Sequence, residues 1–396
     1  MKILAALICI LSCVSLKLTG QINNEIIFFG DTILYQRPTI KDSMGFGQNV
    51  SIIQLRQYYN QLQNANYDTL INIIKNYKLQ HNLGDWIYYQ LIRRTAQSNF
   101  PKDKGYNSYT FFKWYLLARS GYNAQLSIFN DRLLLYVQSD DNIYDIPLFE
   151  LAGKQYVCLN SHDFAKLNIN DSSLKKIDLP TQGAYKSFSY KINSLPDFKD
   201  KHETQKELFF KYHKRMNCIN ITIDEQMDIL FSNYPAVDFD VYFNIPISAK
   251  TYSTLIPTLK KKVKKLSQQK GVDYLVNFTR NAFMYKTDQT NFGKEKRLSP
   301  EQTLMNTYSD CDDRVALLYY LVKEIYDIPM LVILYPNHVV LAVHLQKNVG
   351  TTLLFKNKKY TYCEPTPQAI NLPLGQLMPT YLNSEYKIGF QYSPIH

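Results

Sequence analysis

The sequence YSDCDDRVALLYY, at residues 308–320, decides how the fold of this 396-residue chain is interpreted. It places Cys311 among acidic residues at the start of an apolar run, where a buried helix would have its first turn. The sequence NHVV at residues 337–340 opens a segment of strand-like composition, and YCEPT at residues 362–366 closes another. A helix-terminal cysteine, a histidine opening a strand and a carboxylate ending a later strand are the parts of an activated thiol nucleophile.

The helix that carries the cysteine is predicted to start at Ser309, because Ser309 and Asp312 have the spacing of a capping box. Cys311 then lies in the first turn. There, free backbone N–H groups and the positive end of the helix dipole favour a thiolate and could hold an oxyanion. The neighbouring carboxylates oppose a low thiol pKa. A basic partner is therefore needed, and we expect His338 to accept the thiol proton.

Glu364 is predicted to orient the His338 imidazole and to stabilise its positive charge. The separation between the two residues is too long for a simple hairpin. We therefore expect residues 351–357 to form a side excursion that brings Glu364 back beside His338. Cys363 should point to the opposite face and pack in the core, while His344 lies outside the site. The alternative interpretations are a packing cysteine, a core histidine bonded to the backbone and a surface carboxylate.

The N-terminus has the layout of a secretory signal peptide. Lys2 precedes an apolar run at residues 3–16, and small and polar residues follow up to Gly20. We expect cleavage near Gly20, which would remove residues 1–20 and make the protein periplasmic or extracellular. A lipid anchor on Cys13 is a second interpretation. No later segment is long and apolar enough to predict a transmembrane span.

Charge and cysteine content restrict the classes of partner and cofactor. Removal of Lys2 and Lys17 with the signal peptide lowers the formal charge from +11 to +9. The run KKKVKK at residues 260–265 is predicted to be the exposed face of an amphipathic helix, so no nucleic-acid partner is expected. The four cysteines of the mature chain form neither a disulfide scaffold nor a zinc pattern: Cys158, Cys218, Cys311 and Cys363. No metal or organic cofactor is implied.

Hydrophobic periodicity divides the rest of the chain into four regions. Residues 21–49 form a lead-in segment, and residues 50–179 have helices followed by strands. Residues 180–250 are predicted to be a mostly β linker domain, with strands near residues 185–192, 219–223 and 238–243. Residues 251–396 contain further helices and the candidate site.

Part of the chain is repeated. Residues 113–117, 133–137 and 154–159 resemble residues 319–323, 339–343 and 359–364 in the same order of helix, strand and strand. The first copy lacks the reactive side chains, because Gly105, Arg132 and Leu159 occupy the positions of the cysteine, the histidine and the carboxylate. We interpret residues 50–179 as a degenerate, non-catalytic copy. Chance similarity between two generic helix and strand units is the alternative.

Several motifs together resemble secreted bacterial transglutaminase-like proteins, chiefly over residues 270–382. These motifs are FGKEKR at 292–297, SPEQTL at 299–304, SDCDDR at 309–314, PNHV at 336–339 and YCEPT at 362–366. The resemblance implies an α+β, papain-like fold, with Cys311 as nucleophile, His338 as base and Glu364 as orienting carboxylate. Where this chain has Glu364, the family usually has aspartate.

The implied activity is acyl transfer or hydrolysis on a protein or peptide amide through a Cys-His-Glu triad. Hydrolysis is expected at least as much as cross-linking, because water is the more abundant acceptor. The rival hypothesis is a non-enzymatic binding or scaffold protein of the cell envelope. It is motivated by the empty first copy and by Glu364 in place of aspartate. The sequence gives no indication of the oligomeric state.

Overall fold

Local sequence signals account for most of the helices and strands, which together form a mixed α+β fold. The computed structural model describes residues 23–38, 40, 45–46, 50–164, 175–180, 183–199, 202–368 and 371–394. The predicted signal peptide, Cys13 and parts of the lead-in lie outside the described residues. No helix among the described residues is both long enough and apolar enough to cross a lipid bilayer.

The N-terminal half begins with a two-stranded sheet and continues with four helices. The sheet pairs β1 (Asn23–Phe28) with β2 (Asp31–Gln36). The helices are α1 (Ile52–Asn64), α2 (Asp68–Gln80), α3 (Asp85–Asn99) and α4 (Tyr106–Arg119). Ser51 and Gln54 form a capping box that starts α1. The helices predicted in the first part of residues 50–179 are thus confirmed.

A five-stranded sheet follows in the order β6-β7-β4-β3-β8. Its strands are β3 (Ala124–Phe129), β4 (Arg132–Gln138), β6 (Leu148–Leu151), β7 (Lys154–Cys158) and β8 (Lys175–Ile177). The hairpin of β3 and β4 turns at Asn130 and Asp131, which both have positive φ angles, as a tight hairpin turn requires. A short strand, β5 (Ile143–Tyr144), pairs instead with β11 (Ala236–Val237).

The middle of the chain departs from the prediction of a mostly β linker. Residues 219–223 lie in a strand as predicted, within the long hairpin of β9 (Glu203–Tyr212) and β10 (Arg215–Asp224). Residues 185–192 are extended but have only the isolated bridge between Tyr122 and Lys186. Residues 238–243 are not a strand; they contain α6 (Phe239–Tyr242). Three consecutive buried side chains, at residues 241–243, override the apparent alternation.

The C-terminal half supplies further helices, several of which contact the long hairpin or the second sheet. They are α5 (Gln226–Phe231), α7 (Ala249–Val263), α8 (Gln268–Asn281), α9 (Asp288–Phe292), α10 (Pro300–Met305) and α11 (Cys311–Tyr326). Ser299 and Gln302 form the capping box predicted for α10. The lysines at residues 260–265 are exposed while Leu255, Leu259 and Val263 are buried, which confirms the amphipathic interpretation.

The second five-stranded sheet has the order β16-β17-β15-β14-β18. Its strands are β14 (Met330–Tyr335), β15 (His338–Val343), β16 (Thr352–Phe355), β17 (Lys358–Cys363) and β18 (Lys387–Tyr392). The two sheets share one topology. In each case a helix precedes a central hairpin, a second hairpin adds to one edge of the sheet, and a single strand adds to the other edge. A continuous hydrophobic core joins both halves.

Lys113 is a buried cation in α4 whose replacement should stabilise the protein. Its side chain is 1% exposed and its ammonium lies 4.5 Å from the centre of the Tyr109 ring. Burial, and then the charge of Arg93, lower the pKa of Lys113 from 10.5 to about 7, against the opposing charge of Asp163. Lys113 therefore binds its proton more tightly in the unfolded chain than in the folded protein. The contribution of Lys113 to stability is least favourable below pH 7 and improves as the pH increases through the interval from about 7 to 10.5.

We expect Lys113→Met to raise the free energy of unfolding at pH 6 by about 2 kcal/mol, with the gain fading towards pH 10. Urea denaturation at several pH values measures this free energy of unfolding. A gain that does not depend on pH would indicate a packing effect instead of the removal of a buried charge.

Candidate active site

The cysteine of the candidate site is the first residue of α11. Asp310 is the N-cap, and its backbone N–H donates to Asp313 Oδ2 at 3.4 Å. The predicted start at Ser309 was therefore wrong by one residue. Ser309 belongs to β13 (Tyr308–Ser309), which pairs in parallel with β12 (Met284–Tyr285). Because this pairing fixes Ser309 as a strand residue, the capping box moves to Asp310 and Asp313.

His338 and Glu364 are brought together by the antiparallel pairing of β15 with β17. His338 begins β15 and Glu364 follows the last residue of β17, so the two lie at the same end of the sheet. His338 Nε2 is 2.7 Å from Glu364 Oε2, and the residues are 7% and 2% exposed. The expected excursion corresponds to β16, which occupies the outer edge of the sheet and lets β17 return beside β15.

The Cys311 sulfur lies beside the start of β15, the strand that begins with His338. The backbone N–H groups of Val339 and Asp312 face the sulfur and favour its ionised form. Val339 directly follows His338, so the residue that carries the imidazole adjoins the residue whose backbone N–H faces the sulfur. The thiol is partly exposed, whereas the imidazole and the carboxylate behind it are buried. A substrate would therefore reach the sulfur first.

Burial has the largest effect on the pKa of the Cys311 thiol. Burial first, and then the charge of Asp312, raise this pKa, and these effects exceed those of the two N–H groups. The N–H groups lower the thiol pKa and the carboxylate raises it, both as predicted, whereas the contribution of burial was not predicted. The sulfur is a neutral thiol at neutral pH, so a nucleophilic attack must transfer the proton to a base as the new bond forms.

Glu364 is held by contacts on both its side chain and its backbone. Its Oε1 atom accepts a hydrogen bond from the Thr366 backbone N–H at 2.8 Å, which leaves Oε2 for the histidine. Its carbonyl oxygen accepts from Arg280 Nε at 3.1 Å and also from Arg280 Nη2. Arg280 is 3% exposed and comes from α8. These contacts fix the carboxylate before any substrate binds.

A tyrosine covers the imidazole. Tyr381, in α12 (Pro379–Leu382), stacks on His338 with ring centres 5.1 Å apart and an interplanar angle of 17°. Tyr381 also contacts Tyr335, with ring centres 4.8 Å apart. Neither tyrosine was predicted from the sequence, because nothing in the spacing of residues 379–382 indicates a contact with a histidine so far upstream. The ring restricts the rotation of the imidazole and shields it from water.

A group of carboxyls adjoins the cysteine. Oxygen atoms of Asp288, Glu295 and Asp310 lie within 4.8 Å of one another, a geometry that could hold a hard cation. Burial raises the pKa of Asp288 to about 7. Burial, followed by a hydrogen bond with Asp312, raises the pKa of Asp310 to about 11. Asp310 is therefore protonated at neutral pH.

Removal of one carboxylate charge beside the sulfur should make the thiol more reactive. We expect Asp312→Asn to lower the thiol pKa and to increase the rate of alkylation of Cys311 by iodoacetamide at pH 7.5. A gain of about tenfold would correspond to one pKa unit. The measurement is the rate of labelling of the peptide that contains Cys311. Asp327→Asn is the matched control because it removes the same charge at the opposite end of α11. Equal rates for Asp312→Asn and the unmodified protein would contradict this electrostatic account.

In the N-terminal half, the positions that correspond to Cys311, His338 and Glu364 hold no cysteine, histidine or carboxylate. Gly105 is the N-cap of α4, where α11 has its reactive end. The Arg132 guanidinium, at the start of β4, lies 4.0 Å from the Tyr106 ring centre and 4.3 Å from that of Phe164. Leu159 is buried. These side chains fill the space with aromatic and apolar contacts and offer no nucleophile.

The remaining cysteines and the second histidine lie apart from the site. Cys363 is fully buried, and among the described residues all four cysteines are free: Cys158, Cys218, Cys311 and Cys363. His344 Nδ1 is 2.9 Å from the Lys359 carbonyl oxygen, at the far end of β15.

Comparison of the chain with protein-family models, with curated proteins and with solved structures finds no match.

Proposed function

We propose that the protein is an exported cysteine enzyme that hydrolyses or transfers the acyl group of a protein or peptide amide. The observation that carries this proposal is the buried contact of 2.7 Å between His338 Nε2 and Glu364 Oε2, beside a partly exposed thiol at a helix N-terminus. An imidazole held in this way has Nδ1 as its remaining nitrogen. Because the carboxylate keeps a proton on Nε2, Nδ1 is the atom able to accept the thiol proton.

The proposed reaction has two halves. In the first, Cys311 Sγ bonds to the amide carbonyl carbon while His338 Nδ1 takes the thiol proton. The imidazolium then gives this proton to the departing nitrogen as the C–N bond breaks, and ammonia or an amine leaves a thioester. In the second half, water or an amine bonds to the thioester carbon and passes a proton to His338. The C–S bond then breaks and the sulfur regains its proton.

The backbone N–H groups near the sulfur have a role in this scheme. Those of Val339 and Asp312 face Cys311, so they are suited to bind the negative oxygen of a tetrahedral intermediate. Glu364 would stabilise the imidazolium that forms transiently. No metal or organic cofactor takes part in any step proposed here.

We further propose that the C-terminal half has the papain-like arrangement of transglutaminase-like proteins and that the N-terminal half is its degenerate copy. The shared topology of the two five-stranded sheets supports this duplication, as does the repeated order of helix and hairpin. Export through residues 1–20 would place the enzyme in the periplasm or outside the cell.

A peptide library tests the activity without knowledge of the substrate. The unmodified protein and Cys311→Ala are each incubated with a digest of cell-envelope proteins and an added primary amine, and the products are identified by mass spectrometry. New peptide termini indicate protease action, conversion of glutamine to glutamate indicates amidase action, and amine adducts indicate acyl transfer. We expect one of these products from the unmodified protein and none from Cys311→Ala.

The alternative is a non-enzymatic binding protein, and the raised pKa of the Cys311 thiol is the observation that favours it. If both proteins leave the library unchanged while Cys311→Ala retains the biological function of the gene, the alternative is correct. Circular dichroism of both proteins shows whether the substitution has altered the fold.

A further inference from the structure

A cavity of about 400 Å³ lies between β1, α3 and α4 of the N-terminal half and α5 of the C-terminal half. The wall formed by α3 and the residues that follow it carries three cations, Arg93, Arg94 and Lys102, and among the described residues no aspartate or glutamate lines the cavity. The lining also includes apolar side chains, among them Phe28 and Leu230. The volume is within the range of sites that bind small molecules in proteins.

The cationic wall is only partly neutralised. Lys102 forms an ion pair with Asp163 at 2.5 Å, behind the cavity. Neither Arg93 nor Arg94 forms an ion pair with a carboxylate in the part of the chain that the structure describes. Arg93 instead donates to Gln90 Oε1 at 2.8 Å and hydrogen-bonds the Tyr109 hydroxyl. Two guanidinium groups without a direct carboxylate partner therefore supply positive charge to the cavity, offset in part by Asp163.

A buried hydrogen-bond donor lies on the same wall. Gln90 is 7% exposed, and its Oε1 atom is occupied by Arg93. Its Nε2 atom has no hydrogen-bond partner among the described residues. Buried amide groups in folded proteins are nearly always paired. Gln90 lines the cavity beside the two arginines, but its N–H group is closed to solvent, so a ligand in the cavity would reach it only if the side chain turned.

The chemistry of this wall specifies an oxyanion. Guanidinium groups bind carboxylates and phosphates through parallel hydrogen bonds. The aromatic ring of Phe28 and the Leu230 side chain would contact the apolar body of the same ligand. No residue of this cavity belongs to the Cys311 site.

We propose that this cavity binds a small organic anion, with a carboxylate or phosphate held by Arg93 and Arg94 and an apolar body against Phe28 and Leu230. The reactive positions of the N-terminal half are empty, but the cavity, most of whose lining belongs to that half, gives it a binding role of its own. The proposal does not depend on catalysis at Cys311.

Calorimetric titration with four probes tests it: phenylacetate, phenyl phosphate, neutral phenylacetamide and inorganic phosphate, each up to about 10 mM. We expect at least one of the two aromatic anions to bind, and to bind more tightly than both phenylacetamide and inorganic phosphate. Comparison of phenylacetate with phenyl phosphate identifies the preferred anionic group. Arg94 is exposed, so Arg94→Gln should fold normally and weaken binding about tenfold or more.

Lys104→Gln is the matched control, since it removes the same charge from an exposed residue that does not line the cavity. We expect it to leave binding unchanged, as should Cys311→Ala. Absence of binding by both aromatic anions would overturn the proposal. Equal binding of phenylacetamide would also overturn it, and so would an equal loss of affinity in Arg94→Gln and Lys104→Gln.

Discussion

Glu364→Gln is expected to lower the rate of acylation of Cys311 by about 10³–10⁴-fold while leaving the fold intact. Glu364 is 2% exposed and accepts from His338 at 2.7 Å. A carboxylate in this position keeps the imidazole proton on Nε2. A glutamine amide can donate to Nε2, which moves the proton to Nδ1. The thiol then has no base to receive its proton.

The rate to be measured is that of thioester formation from an activated ester, with the pH varied from 6 to 9. Glu364→Asp is the matched control because it keeps the negative charge and removes one methylene group. We expect Glu364→Asp to lose much less activity than Glu364→Gln, since the carboxylate can still accept from Nε2. If the two variants acylate equally fast, Glu364 does not act through its charge and the proposed role of this residue is wrong.

Arg314→Met is expected to lower the free energy of unfolding by about 3–5 kcal/mol. The Arg314 side chain is fully buried and donates to four backbone carbonyl oxygens. Its acceptors are those of Ser309 at 3.4 Å, Thr279 at 3.1 Å, Arg280 at 2.8 Å and Phe283 at 2.9 Å. Methionine fills a similar volume but takes the guanidinium donors away from all four carbonyl groups, of which only that of Ser309 keeps another donor, the Lys286 backbone N–H at 3.4 Å. The guanidinium thus joins the end of α8 to the start of α11.

Urea denaturation measures this effect. Lys323→Met, on the same helix but partly exposed, is the control and should change stability by less than about 1 kcal/mol. Because Arg314 also fixes the backbone beside Cys311, the folded fraction of Arg314→Met should have reduced acylation. A stability equal to that of the unmodified protein would show that water replaces the guanidinium without cost.

The order of the site residues could be predicted because each lies at the start or the end of a helix or strand that the local sequence marks. Cys311 follows a capping sequence, and His338 opens an apolar strand. The exact cap could not be predicted, because the parallel pairing of β12 with β13 is a tertiary contact. The same applies to Arg280 and Tyr381, which reach the site from distant parts of the chain, and to the carbonyl groups near the end of α8 that Arg314 contacts.

The effect of burial on the thiol pKa was not predicted, for a related reason. A helix N-terminus is visible in the sequence, whereas the depth of burial of Cys311 is not, and burial is the largest influence on the thiol pKa. The repeat was detectable from short apolar segments at residues 133–137 and 339–343. Only the pairing of the strands reveals that both sheets share one topology.

The most direct test of the central claim is to map the acyl group left on the protein after brief exposure to p-nitrophenyl acetate at neutral pH. The account predicts one acetyl group on Cys311, formed with a rapid release of p-nitrophenol, and almost none on Cys311 in His338→Gln. Acetylation spread equally over Cys311 and Cys218, or unchanged in His338→Gln, would contradict a nucleophile activated by this histidine.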